Sequence, residues 1–409
     1  MKWRMFICAI CFLIGGCSLN IPLEDQFSDP DAITDVLSAR SLLASAYKAM
    51  PQQIFQLSVL SDDFCPSQHL NKDMSLQGLY NWREVEMTEL AGTLWAGYYA
   101  VIAEVNALLA RIDAVVTLDE TEKLEKMRIV CEAKALKSWC YFDLLRLFAP
   151  RYEGNENKDG IILKKRVELD FLPRSSVKEC VTEIRTLLNE ARNVDNTQKN
   201  VYWLSDKAVA YLQVELELYA GNYPAVLELT KDLETEYPES VLGADVYKYL
   251  WSSENSDARI FGKYQLEQIY MDIRFDTFEK GDYLVLSQNV DYEEEDIRKE
   301  WSEIPFVMPD AKNVRLLGKY NRMNRDRVAS KYVNVARAAG MWLMRVEALA
   351  RSGKEGDAVA LANRMLKQRG ATEWSTNIAG NELISKILIE RQKEYVRKAH
   401  PFFGHNFCD

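Results

Sequence analysis

Apolar residues recur along most of this chain at the three- and four-residue spacing of amphipathic helices. Residues 32–50 read as a helix, with Asp31 as its N-cap, Leu37, Leu42, Leu43, Ala46 and Tyr47 among its apolar residues, and Pro51 as its stop. From about residue 61 to 82, polar, glycine and aromatic residues mix without a period, which predicts a loop. Long helices are predicted over about 89–113 and 120–148, packed as an antiparallel pair. A second pair comprises 204–219, a turn at Gly221-Asn222, and 225–236 ahead of Pro238. Residues 335–351, a turn at Ser352-Gly353, and 357–369 repeat it, with Ala358 small at the crossing. Helix, glycine turn, helix is the pattern of tetratricopeptide-like units. The predicted fold class is mostly α, one domain of such helix pairs with irregular loops.

The start of the chain breaks that pattern. Behind Lys2 and Arg4 runs an apolar stretch, residues 5–16, that ends in Gly15-Gly16-Cys17. A basic start, an apolar core too short for a stable membrane span and small residues before a cysteine make an export signal with a lipid-attachment site at Cys17. Residues 1–16 are therefore read as a leader, 17–31 as a lipidated tether rich in proline, aspartate and serine, and 32–409 as the folded domain. No later stretch is expected to cross a membrane. Acyl chains contribute about 0.8 kcal/mol per buried methylene, so a multiply acylated Cys17 holds the protein on a membrane.

Composition narrows the chemistry. Hydrophobic residues make up 48% of 409 positions, enough for a large core. Loss of Lys2 and Arg4 with the leader takes the formal charge from -10 to about -12, and no cluster of cations offers a phosphate-binding face, so no nucleic-acid partner is expected. The C-x-x-C of Cys8 and Cys11 falls in the leader. Cys65, Cys131, Cys140, Cys180 and Cys408 lack metal-ligand spacing, and Cys131 and Cys140 read as small buried hydrophobes. The three histidines, His69, His400 and His405, form no metal motif, and neither a nucleophile elbow nor a phosphate-cradling loop occurs. No cofactor and no enzymatic activity are expected.

Several motifs then fall in the order of one known family. Leu42-Leu43-Ala44-Ser45-Ala46-Tyr47 is followed by Trp95, Tyr99, Ile102, Asn106 and Leu108-Leu109, and then by Glu132-Ala133, Tyr141-Phe142, Leu144 and Arg146-Leu147-Phe148. Near the end come Arg337, Ala339, Leu343, Val346-Glu347-Ala348, Gly353, Ala358, Asn363, Arg369, Glu390-Arg391 and Glu394-Tyr395. With Cys17, this succession resembles the SusD/RagB family of outer-membrane nutrient-binding lipoproteins. Val346 stands where that family usually has alanine, and residues 397–403 depart from its usual ending. The resemblance implies a cell-surface protein, lipid-anchored in the outer membrane. It would capture an oligosaccharide, or less often a peptide, and hand it without chemistry to a SusC-like TonB-dependent transporter. The alternatives are an adhesion or assembly lipoprotein that binds protein through its helical surface, and an all-α polysaccharide hydrolase.

A hydrolase would need two carboxylates facing one cleft. Glu132, Glu347, Glu390 and Glu394 instead sit at helical spacing among apolar residues, beside Arg391, which reads as structural ion pairing. Binding has better candidates, because sugar rings stack their C–H faces on aromatic rings while polar neighbours orient the hydroxyls. Tyr80, Asn81, Trp82 and Arg83 in one aperiodic stretch, and Tyr283, Tyr292 and Trp301 in a second, are the expected ligand-contacting residues. Trp95, Trp139, Trp251 and Trp342 fall within helical patterns and are assigned to the core. Rings of this kind suit a peptide as well as a glycan.

Cys17→Ser is expected to move the protein from the membrane fraction to the soluble periplasm, since the acyl chains supply the attachment. Detergent-free fractionation checks this, and retention of the variant with the membrane would refute the anchor.

Overall fold

The computed structural model describes residues 33–61, 63–66, 74–167, 171–192, 201–252, 255–264, 284–286, 291–307, 312–319 and 332–395. Residues 1–16, expected to be a leader, and Cys17, Asp31, Tyr283, the three histidines and Cys408 lie outside them. The helices in chain order are α1 (Val36–Ala49), α2 (Ile54–Leu60), α3 (Met74–Tyr80), α4 (Glu84–Arg111), α5 (Glu120–Phe148), α6 (Val177–Ala191), α7 (Asp206–Tyr219), α8 (Tyr223–Leu229), α9 (Leu233–Glu236), α10 (Ala244–Tyr247), α11 (Ile297–Ser302), α12 (Ala338–Arg351), α13 (Glu355–Arg369) and α14 (Gly380–Tyr395). The strands are β1 (Phe64–Pro66), β2 (Arg259–Tyr264), β3 (Leu284–Leu286), β4 (Glu303–Val307), β5 (Asn313–Leu317) and β6 (Tyr332–Arg337).

The longer helices, with α8, pack in a continuous stack: α1 on α4, α4 on α5, α5 on α6, α6 on α7, α7 on α8, and α12 on α8, α13 and α14. This is the mostly α architecture the periodicity predicts. The pairs turn where only glycine is at ease, with Gly221 at φ 68° and Gly353 at φ 75°. Ala358 is fully buried where α13 crosses α12.

Local chemistry moves several boundaries. The N-cap of α1 is Asp35, not Asp31: its carboxylate accepts from the Ser38 N–H at 2.7 Å, and the Ser38 hydroxyl accepts from the Asp35 N–H at 3.2 Å. The expected loop over 61–82 contains β1 and α3. Helix α4 starts five residues early, where Glu84 and Glu86 in its first turn complement the helix dipole. Helix α6, unanticipated, is closed by a Ser176/Glu179 capping box. The expected helix over 225–236 breaks into α8 and α9, because Arg345 reaches across to the carbonyls of Leu227 (3.0 Å) and Thr230 (2.9 Å). Val335 belongs to β6, which pairs antiparallel with β2, and the following helix begins at Ala338.

One expectation about membranes also changes. Residues 84–114 are long and apolar enough to cross a bilayer by length and composition alone. The apolar side of α4, including Leu94, Tyr98, Val101, Ile102 and Val105, is instead committed to the bundle core.

The C-terminal motif is explained by buried charge. Glu394 of α14 is inaccessible to solvent. Arg337 from the end of β6 lies 3.0 Å from it, Arg369 from the end of α13 lies 3.3 Å away, and Arg298 of α11 lies 3.8 Å away. Arg298 also pairs with Asp296 and Glu390, while Arg391 and Arg351 share Glu347. Burial alone would push the Glu394 carboxyl up, but Arg369, Arg337 and Arg298 outweigh it and hold it down at about 2.

Removing one member of a buried charge cluster leaves the others uncompensated, so Glu394→Gln should cost about 3–5 kcal/mol at pH 7 in urea denaturation. The folded value lies below the ordinary 4.5. The carboxylate's contribution is therefore complete above about pH 4.5 and drains away as the pH falls toward 2. That acid-side loss should be blunted in Glu394→Gln.

Candidate functional site

Exposed polar turns at the start of α4 form the first candidate. Helix α3 ends with Trp82 N–H bonded to the Leu79 carbonyl at 3.0 Å and Arg83 N–H to the Gly78 carbonyl at 2.9 Å. That pair of bonds is the Schellman ending, which requires the residue after the cap to be left-handed and usually recruits glycine there. Here the residue is Trp82, at φ 53°, the one non-glycine with positive φ among the described residues. Its side chain is 61% exposed. A left-handed L-residue costs roughly 1–2 kcal/mol, and nothing in the core gains from this ring.

The turn is held from below. Arg83 pairs with Glu86 one turn into α4, and the Glu86 carboxylate lies against Gly78, where a methyl group would overlap it. Gly78 leaves room for the Glu86 side chain to lie over α3. Asn81 and Arg83 are exposed beside the ring, as hydrogen-bonding groups near a stacking platform should be.

The second stretch is brought toward the first by a sheet. The antiparallel order is β1-β3-β5-β4, with Pro66 opposite Leu284, Val285 opposite Leu316, and Glu303 opposite Leu317. Helices α2 and α3 pack on β1 at one edge, and α11 runs directly into β4 at the other. Three strand spacings, about 14 Å in all, separate those edges.

Not every expected ring is available there. Tyr292 is only 3% exposed; its hydroxyl donates to the Lys393 carbonyl at 2.8 Å and the Arg298 guanidinium lies over its ring. It is a packed ring without a face for ligand, because the buried charge cluster recruits it. Trp301 and Tyr80 are half-buried against the core. Of the expected rings among the described residues, Trp82 alone offers most of its face to solvent. Trp139, Trp251 and Trp342 are buried as assigned, and Trp95 is half-buried under Arg174.

The carboxylates occupy structural places. Glu132 accepts both Arg40 contacts, at 2.9 and 3.0 Å, and Glu347, Glu390 and Glu394 are paired as described above. All four are at most 3% exposed, so none faces a cleft with a second carboxylate. Among the described residues no group of three metal-ligating side chains occurs.

A further concavity lies beside α6, a cleft of about 560 Å³ lined by Leu163, Lys165, Leu172, Pro173, Lys178 and Glu183, among others. No expected site residue lines it. Its visible signal in the sequence is the capping box at Ser176, which announces α6 but not the cleft.

Comparison with known proteins places this geometry. Residues 23–214 match a SusD-like family described as starch-binding, associating with the outer membrane. No curated protein matches the chain. Among solved structures, a SusD superfamily protein from Bacteroides vulgatus is similar at a TM-score of 0.74 and 19% identity, covering 91% of this chain and 88% of its own. A SusD-like carbohydrate binding protein from the same organism aligns at 0.73 and 18%, covering 90% and 83%. A SusD superfamily protein from Bacteroides thetaiotaomicron aligns at 0.72 and 17%, covering 91% and 88%.

Because glycine adopts φ 53° without the steric penalty of an L side chain, Trp82→Gly should be more stable than Trp82→Ala by about 1 kcal/mol. Urea midpoints of the two variants check this, and an equal or lower midpoint for the glycine variant would show that the turn is unstrained.

Proposed function

Because the chain belongs to the SusD/RagB family, by sequence over residues 23–214 and by fold along its described length, we propose that it binds an oligosaccharide at the outer membrane. Anchored through Cys17 at the cell surface, it passes this nutrient to a SusC-like TonB-dependent transporter. The observation that carries the reading is Trp82, an exposed indole retained in a backbone conformation that costs stability. Strain kept in the absence of a packing gain points to selection for what the ring touches.

The ring offers a flat apolar face for the C–H side of a sugar, and Asn81 and Arg83 offer donors and an acceptor to its hydroxyls. Tyr80 steadies the turn from the core side rather than meeting ligand. No covalent step is part of this function: Glu132, Glu347, Glu390 and Glu394 are occupied by arginines, and the ligand is released unchanged to the transporter.

Trp82→Ala should weaken glycan binding by about 1–3 kcal/mol, the scale of burying a large side chain, while the fold persists. Isothermal titration against a panel of oligosaccharides measures the loss. Trp342→Ala serves as the core control, since that ring is fully buried and bonds the Tyr237 carbonyl at 3.0 Å. Unchanged affinity in a folded Trp82→Ala protein would place the ligand platform elsewhere.

A further inference from the structure

The cleft beside α6 is where a two-stranded ladder comes apart. Asp159 and Ser176 form an antiparallel bridge. Gly160 N–H donates to the Ser175 carbonyl at 2.7 Å, and Ser175 N–H to the Ile161 carbonyl at 2.8 Å. Beyond Ile161 the two segments separate, and the cleft opens between Leu163 and Lys165 on one bank and Leu172, Pro173 and Ser175 on the other.

The first bank is rigid on its inner side. The Tyr99 hydroxyl donates to the Ile162 carbonyl at 2.8 Å and accepts from the Ile162 N–H at 2.9 Å. The Lys164 carbonyl accepts from Asn106 at 2.9 Å and from Tyr141 at 2.7 Å. Asn106 is itself oriented by the Lys137 ammonium at 2.6 Å. On the other bank Arg174 donates to the carbonyls of Phe148 and Gly160, at 3.0 and 2.7 Å, and lies over Trp95.

Backbone groups of an extended chain alternate sides. Ile162 and Lys164 spend theirs on α4 and α5, so those of Leu163 and Lys165 point the other way, into the cleft. They have no hydrogen-bond partner among the described residues. Leu172 on the cleft wall is exposed, as are its chain neighbour Phe171 and, two residues past Lys165, Val167. A pinned segment whose outer backbone groups are open, flanked by exposed apolar side chains, can serve as a template for a strand.

We infer that this edge binds an extended peptide segment by strand addition, with its backbone paired to Leu163 and Lys165. Unmet N–H and C=O groups at two-residue spacing match a peptide backbone specifically, and this decides the occupant's class. Alternate side chains would pack on Leu163, Leu172 and Pro173. Lys178 gives an acidic side chain its counter-charge, because Glu179 is held by Ser176 and Glu183 by Lys165 at 2.7 Å. The site is separate from Trp82: Tyr99 and Asn106, which hold the strand, lie about 26 and 36 Å along α4 from it at 1.5 Å per residue. The inference therefore stands independently of the glycan reading.

The probe is a library of labelled hexapeptides alternating valine or leucine with serine, threonine or aspartate, titrated against the full-length protein in detergent. Binding is expected, with amide exchange slowed at Leu163 and Lys165 but not at Ile162. Leu163→Pro deletes one edge donor and should weaken binding about tenfold, whereas Leu163→Ala, which keeps it, should do less. Trp82→Ala should leave peptide binding unchanged. Absence of binding, unaltered exchange at Leu163 and Lys165, or displacement of the peptide by the glycan panel would overturn the inference. The exchange measurement uses the unsubstituted protein, so it decides even if Leu163→Pro misfolds.

Discussion

One buried carboxylate organises the C-terminal half of this protein. Glu394 lies where α14, the end of α13, the β6–α12 junction and α11 meet, and each of the last three elements sends an arginine to it. Three guanidiniums around one carboxylate would leave net positive charge in a dry interior, and the neighbouring contacts offset it. Asp296 and Glu390 take up Arg298, while Arg369 lies over Tyr247 and Arg337 over Trp251 and Tyr395. The backbone helps too, since the Glu394 carbonyl accepts from Arg337 at 2.8 Å and from Lys319 at 3.1 Å. Such a cluster is weak evidence for net stability, but breaking it by removing one partner leaves the others as uncompensated buried charge.

The N-terminal half uses the same device in smaller form. Glu132 of α5 accepts Arg40 of α1, and the Tyr47 hydroxyl bridges Glu132 and the Leu204 N–H. The aromatic and acidic letters of the family motifs are thus ties between helices distant in sequence. These carboxylates are taken up by arginines of the scaffold. Helix α4 is the strut between surface features: Trp82 precedes its first turn, and its middle turns hold the strand that lines the cleft.

The fold class and most helices were legible, because the 3.6-residue period survives wherever a helix buries one face. The predicted 120–148 helix matches α5 at both ends, since Asp119 caps it locally and Phe148 ends its apolar pattern. Turns at Gly221 and Gly353 were legible for the same local reason. What escaped was decided across the chain. Nothing near residue 230 announces the break between α8 and α9, because its cause, Arg345, lies more than a hundred positions away. Val335 follows a helical period yet pairs as strand because β2 lies alongside.

The candidate site divides in the same way. Two aperiodic stretches with aromatic residues, visible in the sequence, singled out Trp82 and Tyr292 alike. Tertiary packing separated them, burying Tyr292 beside the charge cluster and leaving Trp82 exposed in a left-handed turn. The cleft beside α6 has no linear signature, since its open edge exists only because Tyr99, Asn106 and Tyr141 consume the alternate backbone groups of the same strand. By itself the sequence determined the fold class, most of the long helices and which residues carry the family motifs, all of which depend on local spacing. Exposure, charge pairing and the unpaired strand edge depend on which distant groups meet, and only the tertiary structure decided those.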